Sequence, residues 1–99
     1  MTDTQQQDLE KWIDQVSAEL GCDVHGVETV HLLDVARDVA HHQIRPGAPT
    51  STFVIGVALG RWEQERITAG SAPTTAERAD KLRHLCAQVQ QLALTSAAE

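Results

Sequence analysis

The chain has 99 residues, 41% of them hydrophobic and 22% charged, which is the composition of a folded domain with room for one core. Fourteen acidic against eight basic side chains give a formal charge of −6, and the Lys and Arg residues stand singly with no run of aromatics among them. That balance argues against a phosphate-neutralising face and sets nucleic acid aside as a partner. Only Trp12, Phe53 and Trp62 are aromatic, so the core must be built mainly from Leu, Val, Ile and Ala.

The first predicted helix spans about residues 5–20. Leu9, Trp12, Ile13, Val16 and Leu20 recur at three- and four-residue spacing, Thr4 with Gln7 fits a capping box, and Gly21 fits the stop. The second spans about 27–44, with Val30, Leu32, Leu33, Ala36, Val39, Ala40 and Ile44 as its apolar arc, and it ends at Pro46-Gly47-Ala48-Pro49. The third spans about 50–69. Its opening Phe53-Val-Ile-Gly-Val-Ala-Leu-Gly60 is apolar all round, which predicts a central helix or one lying in a subunit interface. The fourth, about 74–95, starts with the capping box Thr74/Glu77 and carries the stripe Ala79, Leu82, Leu85, Cys86, Val89, Leu92 and Ala93. No strand-like alternation and no repeat occurs, so the predicted fold is an all-α four-helix bundle with short connections, forming a single domain.

Cys22 and Cys86 show no CxxC or Cys/His zinc spacing and read as buried small hydrophobes in a reducing compartment. The polar, acidic N-terminus lacks the basic and apolar regions of a signal peptide, and no apolar stretch is long enough to span a membrane. A cytoplasmic protein is expected.

Three polar or small-residue patterns invite a function. On the second helix His31, Asp34, Asp38, His41 and His42 share a stripe at i, i+3 and i+4 spacing. Histidines and carboxylates so placed can share a metal ion; with the apolar arc on the other side, a solvated face is the favoured reading, and no metal or cofactor is expected. Residues 41–53, HHQIRPGAPTSTF, gather donors at the start of the third helix, where backbone N–H groups lack partners and the helix dipole is positive. Arg37, His41, Arg45 and Thr52 would form an anion site there. The competing reading, which is favoured, makes Thr50 or Ser51 an N-cap and lets Arg45 meet the last carbonyls of the second helix. Gly56 and Gly60 form a GxxxG spacing, read by default as close approach of another helix of the same bundle, with a homodimer seam as the alternative. No nucleophile elbow, phosphate-binding loop or catalytic dyad is recognisable, so an enzyme is not expected.

The block LLDVARDVAHHQIRPGAPTSTFVIGVALGR, residues 32–61, resembles a small actinobacterial family of uncharacterised helical domains. The likeness rests on Leu32, Leu33, Asp34, Ala36, Arg37, Val39, Ala40, His41, Arg45, Pro46, Ala48, Pro49, Thr52 and Phe53, with LEKWIDQVSAELG upstream as the first helix. Ser51 and His42 depart from the usual pattern. Domains of that family stand alone or are attached to molybdenum-cofactor guanylyltransferases. The resemblance therefore implies an accessory role in making the molybdopterin guanine dinucleotide cofactor, with such a transferase as protein partner. The expected function is a non-catalytic helical interaction domain acting as a homodimer. The alternative is a small-molecule or anion-binding module at the turn between the second and third helices.

Overall fold

Two of the four helices begin by the same device. In the computed structural model, which describes residues 2–24 and 26–96, helix α1 (Asp3–Leu20) is opened by Thr2 and helix α4 (Thr75–Thr95) by Thr74. In each, the threonine side chain accepts from the backbone N–H three residues on. The side chain there, Gln5 or Glu77, accepts in return from the threonine's own N–H. Two otherwise unpaired donors are thereby satisfied at each start. The α4 box is the one the sequence predicts. The α1 box lies two residues upstream of the expected Thr4/Gln7 pair: the polar segment Thr2-Asp-Thr-Gln-Gln-Gln offers the same spacing twice, and the earlier register lengthens the helix by two residues, about half a turn.

Helices α2 (Thr29–His42) and α3 (Gly47–Thr68) lie between them, and the chain is an all-α four-helix bundle with short connections. Helix α1 stops at Gly21, which takes φ +64, and α3 stops as Gly70 takes φ +84. At α3 the N–H groups of Gly70 and Ser71 return to the carbonyls of Ile67 and Arg66 at 3.0 and 2.9 Å, a closure that absorbs helix-end acceptors. Arg66 then braces the connection, donating to the Ser71 carbonyl and pairing with Glu77 at 3.0 Å.

The core lies where α2, α3 and α4 meet. Its buried apolar residues are Val35 and Val39 from α2, Ile55 and Leu59 from α3, and Leu82, Cys86 and Ala93 from α4. Val27, Leu32, Trp62, Leu85 and Val89 pack around them. Trp62 lies beneath two cations, with Arg66 Cζ at 5.5 Å and Lys81 Nζ at 5.9 Å from its ring centre. One correction concerns α2. Its apolar arc points to a direction centred on Leu33 and Ala36, whereas the core direction runs through Val35 and Val39, and Leu33, Val30 and Ile44 are exposed. The helix carries more apolar surface than α3 and α4 cover.

Helix α1 stands apart. None of its residues is buried, and among the described residues no Cα of α1 comes within 8 Å of a Cα in the other three helices. It meets α2 through Gln6, whose Nε2 donates to Thr29 Oγ1 at 3.2 Å. Between them lies an open groove of about 700 Å³ lined by Ile13, Ser17, Val24, Val27 and Val30 among others. No helix is long and apolar enough to cross a membrane among the described residues.

Candidate interaction surface

The histidine–carboxylate stripe of α2 does not converge on a point. His31 Nε2 sits 3.6 Å from Glu28 Oε2, and Asp34 lies 3.6 Å from Arg37. Asp38 turns inward: its Oδ2 accepts from Gln90 Nε2 on α4 at 3.0 Å while Oδ1 faces Arg37 Nε at 3.4 Å. The stripe therefore flanks the core instead of lying opposite it, because α4 packs on the side that holds Asp38. The Gln90 hydrogen bond holds the Asp38 carboxyl below its ordinary range; burial opposes it to a lesser extent, and the Arg37 charge, smaller again, adds to the lowering. His41 and His42 are exposed. Among the described residues no three His, Cys, Asp or Glu side chains are placed to hold a metal ion.

At the turn, α3 begins at Gly47, three residues before the expected Thr50, with Pro46 as N-cap and no side-chain cap. Proline fits these positions because its fixed φ suits a helix start and the absent N–H would be unpaired there in any case. The Gly47 and Ala48 N–H groups return to the carbonyls of Ile44 and Arg45 at 2.9 and 3.1 Å, and Pro49 has no N–H. The first-turn donors that an anion would use are thus engaged or missing. Thr50 caps nothing; its hydroxyl donates to the Pro46 and Gly47 carbonyls, and Thr52 donates to the Pro49 carbonyl at 2.9 Å. Arg37 is held by Asp34 and Asp38. His41 and Arg45 are exposed, and among the described residues Arg45 makes no side-chain hydrogen bond or ion pair. The end of α2 is tied down by Gln43 instead, whose Nε2 donates to the Ala93 and Ser96 carbonyls, each at 2.9 Å.

The hydroxyls of Ser17, Thr50, Thr52 and Thr95 donate to carbonyls of their own helices. The two cysteines are free thiols; Cys86 is buried as expected, and Cys22 is exposed, contrary to expectation. Burial pushes the Cys86 thiol above its ordinary range, away from the thiolate that a nucleophile requires.

What the fold does present is apolar surface. Phe53, Val54, Val57 and Ile67 on α3 are exposed, as are Trp12 and Leu20 on α1, Val30 and Leu33 on α2, and Ile44 in the connection between α2 and α3. The run Phe53–Leu59 expected to be buried on most sides is covered within the chain on one side only, through Ile55 and Leu59. Gly56 and Gly60 face outward with nothing within 4 Å of where a Cβ would stand. Close approach of another helix of the same chain, the default reading of that spacing, does not occur. The total accessible surface is 6964 Å², against about 5,500 Å² for a folded monomer of 10.8 kDa. The radius of gyration, 14.4 Å, exceeds the roughly 12.6 Å expected for this length.

These features define a small helical domain whose distinctive surface is apolar and whose polar side chains are mostly paired within the chain. The chain belongs to the family described as Domain of unknown function (DUF6457), which matches residues 4–98. No curated protein and no solved structure matches it.

Proposed function

We propose that this protein is a non-catalytic cytoplasmic interaction domain that acts as a homodimer and docks onto a protein partner. One observation carries the reading: the chain exposes roughly 1,400 Å² more surface than its mass requires. That surplus comes with exposed Phe53, Val54, Val57, Trp12 and Leu33, which a chain working alone would gain by burying. The resemblance of residues 32–61 to domains joined to molybdenum-cofactor guanylyltransferases makes such a transferase the first partner to test, and an accessory role in cofactor maturation the proposed setting.

The test mixes the purified full chain with a purified molybdenum-cofactor guanylyltransferase from the same cell and follows binding by titration calorimetry. The reading expects saturable binding at micromolar or lower concentration, weakened when Trp12 or Leu33 is replaced by a charged residue. Absence of any binding at high micromolar concentration overturns the assigned partner. Self-association is measured separately, by light scattering of the chain alone.

A further inference from the structure

The groove between α1 and α2 combines an apolar floor with an acidic rim. Gln6, Glu10, Ile13, Asp14 and Ser17 line it from α1, and at 100° per residue they share an arc of about 100° on that helix. Half-buried Ile13, Val24 and Val27 form the floor with the more exposed Val30 beside them. The exposed acids Glu10, Asp14, Asp23 and Glu28 also line the groove, and among the described residues no Lys, Arg or His does. Arg78 and Arg83 reach Asp23 and Glu28 at 3.8 and 3.7 Å. On the α1 bank the charge is uncompensated: Glu10 accepts from Gln6 at 3.1 Å, and neither it nor Asp14 has an ion-pair partner among the described residues.

We propose that this groove receives a basic amphipathic helix of a partner protein. Its apolar side would rest on Ile13, Val27 and Val30, and its Lys or Arg side chains would meet Glu10 and Asp14. The proposal deepens the docking reading above and rests on it. Other modes of peptide recognition lack their counterpart here. An extended segment adds to a sheet edge, and among the described residues there is no strand; a proline-rich segment uses an aromatic-lined groove, and no aromatic lines this one. A phosphorylated or acidic segment, or an anionic lipid surface, would bring like charge to the rim. A helix satisfies its own backbone and lays side chains at i, i+3, i+4 and i+7 into such a groove. The α1 bank from Gln6 to Ser17 runs about 16 Å, the length of three helical turns.

A second copy of the chain does not fit the rim. Helix α1 carries five acids against Lys11 alone, α2 two against Arg37, and α3 two of each. In α4, Arg78 is buried and Arg83 is paired with Glu28 and Asp80. The complement to the groove, apolar on one side and basic at its flanks, is therefore absent from the chain's own helices.

The probe is a labelled synthetic helix of leucine and lysine, about 14 residues or four turns long, with leucines at i, i+3, i+4 and i+7. Fluorescence anisotropy at low salt is expected to show saturable one-to-one binding to the full chain. The same peptide with glutamate in place of lysine should bind at least about tenfold more weakly. Replacing Glu10 and Asp14 together by lysine should weaken the lysine peptide by on the order of tenfold, two attractive pairs becoming repulsive. Asp8 and Glu19 lie on the opposite side of α1. Replacing that pair by lysine changes the net charge equally and should leave binding within about twofold. All four side chains are exposed, so circular dichroism should show the helices retained in both variants. Equal effects of the two double variants would reduce the attraction to bulk charge and overturn the groove. Equal binding of the glutamate peptide overturns it as well, and dissociation of a dimer by the lysine peptide would give the groove to a second copy instead. If the guanylyltransferase binds and the lysine peptide does not, the groove fails while docking stands; if the peptide binds and the transferase does not, the groove stands and only the assigned partner fails.

Discussion

Arg78 on α4 reaches back to Asp23 in the connection between α1 and α2, donating from one terminal nitrogen to the Asp23 carbonyl at 2.8 Å. The same guanidinium has its Nε 3.1 Å from Glu63 Oε2 on α3 and its other terminal nitrogen 3.8 Å from the Asp23 carboxylate. Arg78 is 8% exposed, the one charged residue that is buried among those described. A single side chain thus joins α3, α4 and the connection that leads to α1. A planar fork with five donors suits that task, and lysine would not replace it.

Arg78→Met should therefore destabilise the fold by about 2 kcal/mol, the range of a hydrogen bond to a charged group. Chemical denaturation would measure it, and hydrogen exchange should show faster exchange in residues 21–28. Arg78→Lys should lose nearly as much. Glu63→Gln should lose less, because the Glu63 side chain is 30% exposed and water can replace its partner.

Close by, Gly26 adopts φ +83, and a Cβ on it would stand 2.7 Å from the Thr75 carbonyl oxygen. Gly26→Ala combines left-handed backbone strain with a clash against helix backbone that has no way to yield, and should cost about 3 kcal/mol. Gly21→Ala is the control. It shares the left-handed conformation at φ +64 but meets nothing within 4 Å, so about 1 kcal/mol is expected. Thermal melts of the two variants should differ clearly; equal losses would refute the close approach of the connection to α4.

Acid should loosen the structure through two carboxylates. Asp38 is held below its ordinary value of 3.8 by the Gln90 hydrogen bond and then by Arg37. Glu77 is held below 4.5 by the Thr74 backbone N–H and then by Arg66. A carboxyl whose folded pKa lies below its unfolded one contributes stability above the unfolded value, and that contribution disappears as pH falls through the folded value. The melting temperature should accordingly be level near neutrality and fall below about pH 4. In an NMR titration of the Gln90→Leu variant, the Asp38 carboxyl should titrate at higher pH than in the wild type.

The turn between α2 and α3 should tolerate loss of its polar side chains. Thr52 bonds only one turn back within its own helix, and Arg45 is exposed. Arg45→Ala and Thr52→Ala should each change stability by less than about 0.5 kcal/mol. A thermal shift with inorganic phosphate should be absent from wild type and variants alike. A phosphate-dependent rise in melting temperature that disappears in Arg45→Ala would restore the anion site.

The sequence by itself determined the helices and one capping box in register. Periodicity and capping are local: Thr74 and Glu77 meet within one turn whatever the rest of the chain does, and Gly21 ends α1 because only glycine adopts φ +64 without strain. The apolar periods also named most of the core, including Leu82, Cys86 and Ala93. Which apolar side chains are covered was a tertiary decision. Periodicity gives an arc, but the side of α2 that packs depends on where α3 and α4 lie, and they placed Val35, beyond the edge of that arc, inside and Leu33 outside. Likewise, Asp38 belonged to a solvated stripe until Gln90 of α4, 52 residues away in the chain, met it. The GxxxG spacing requires a close neighbour without saying whose helix supplies it. The tertiary structure turns Gly56 and Gly60 away from every helix of their own chain, and with them the only phenylalanine.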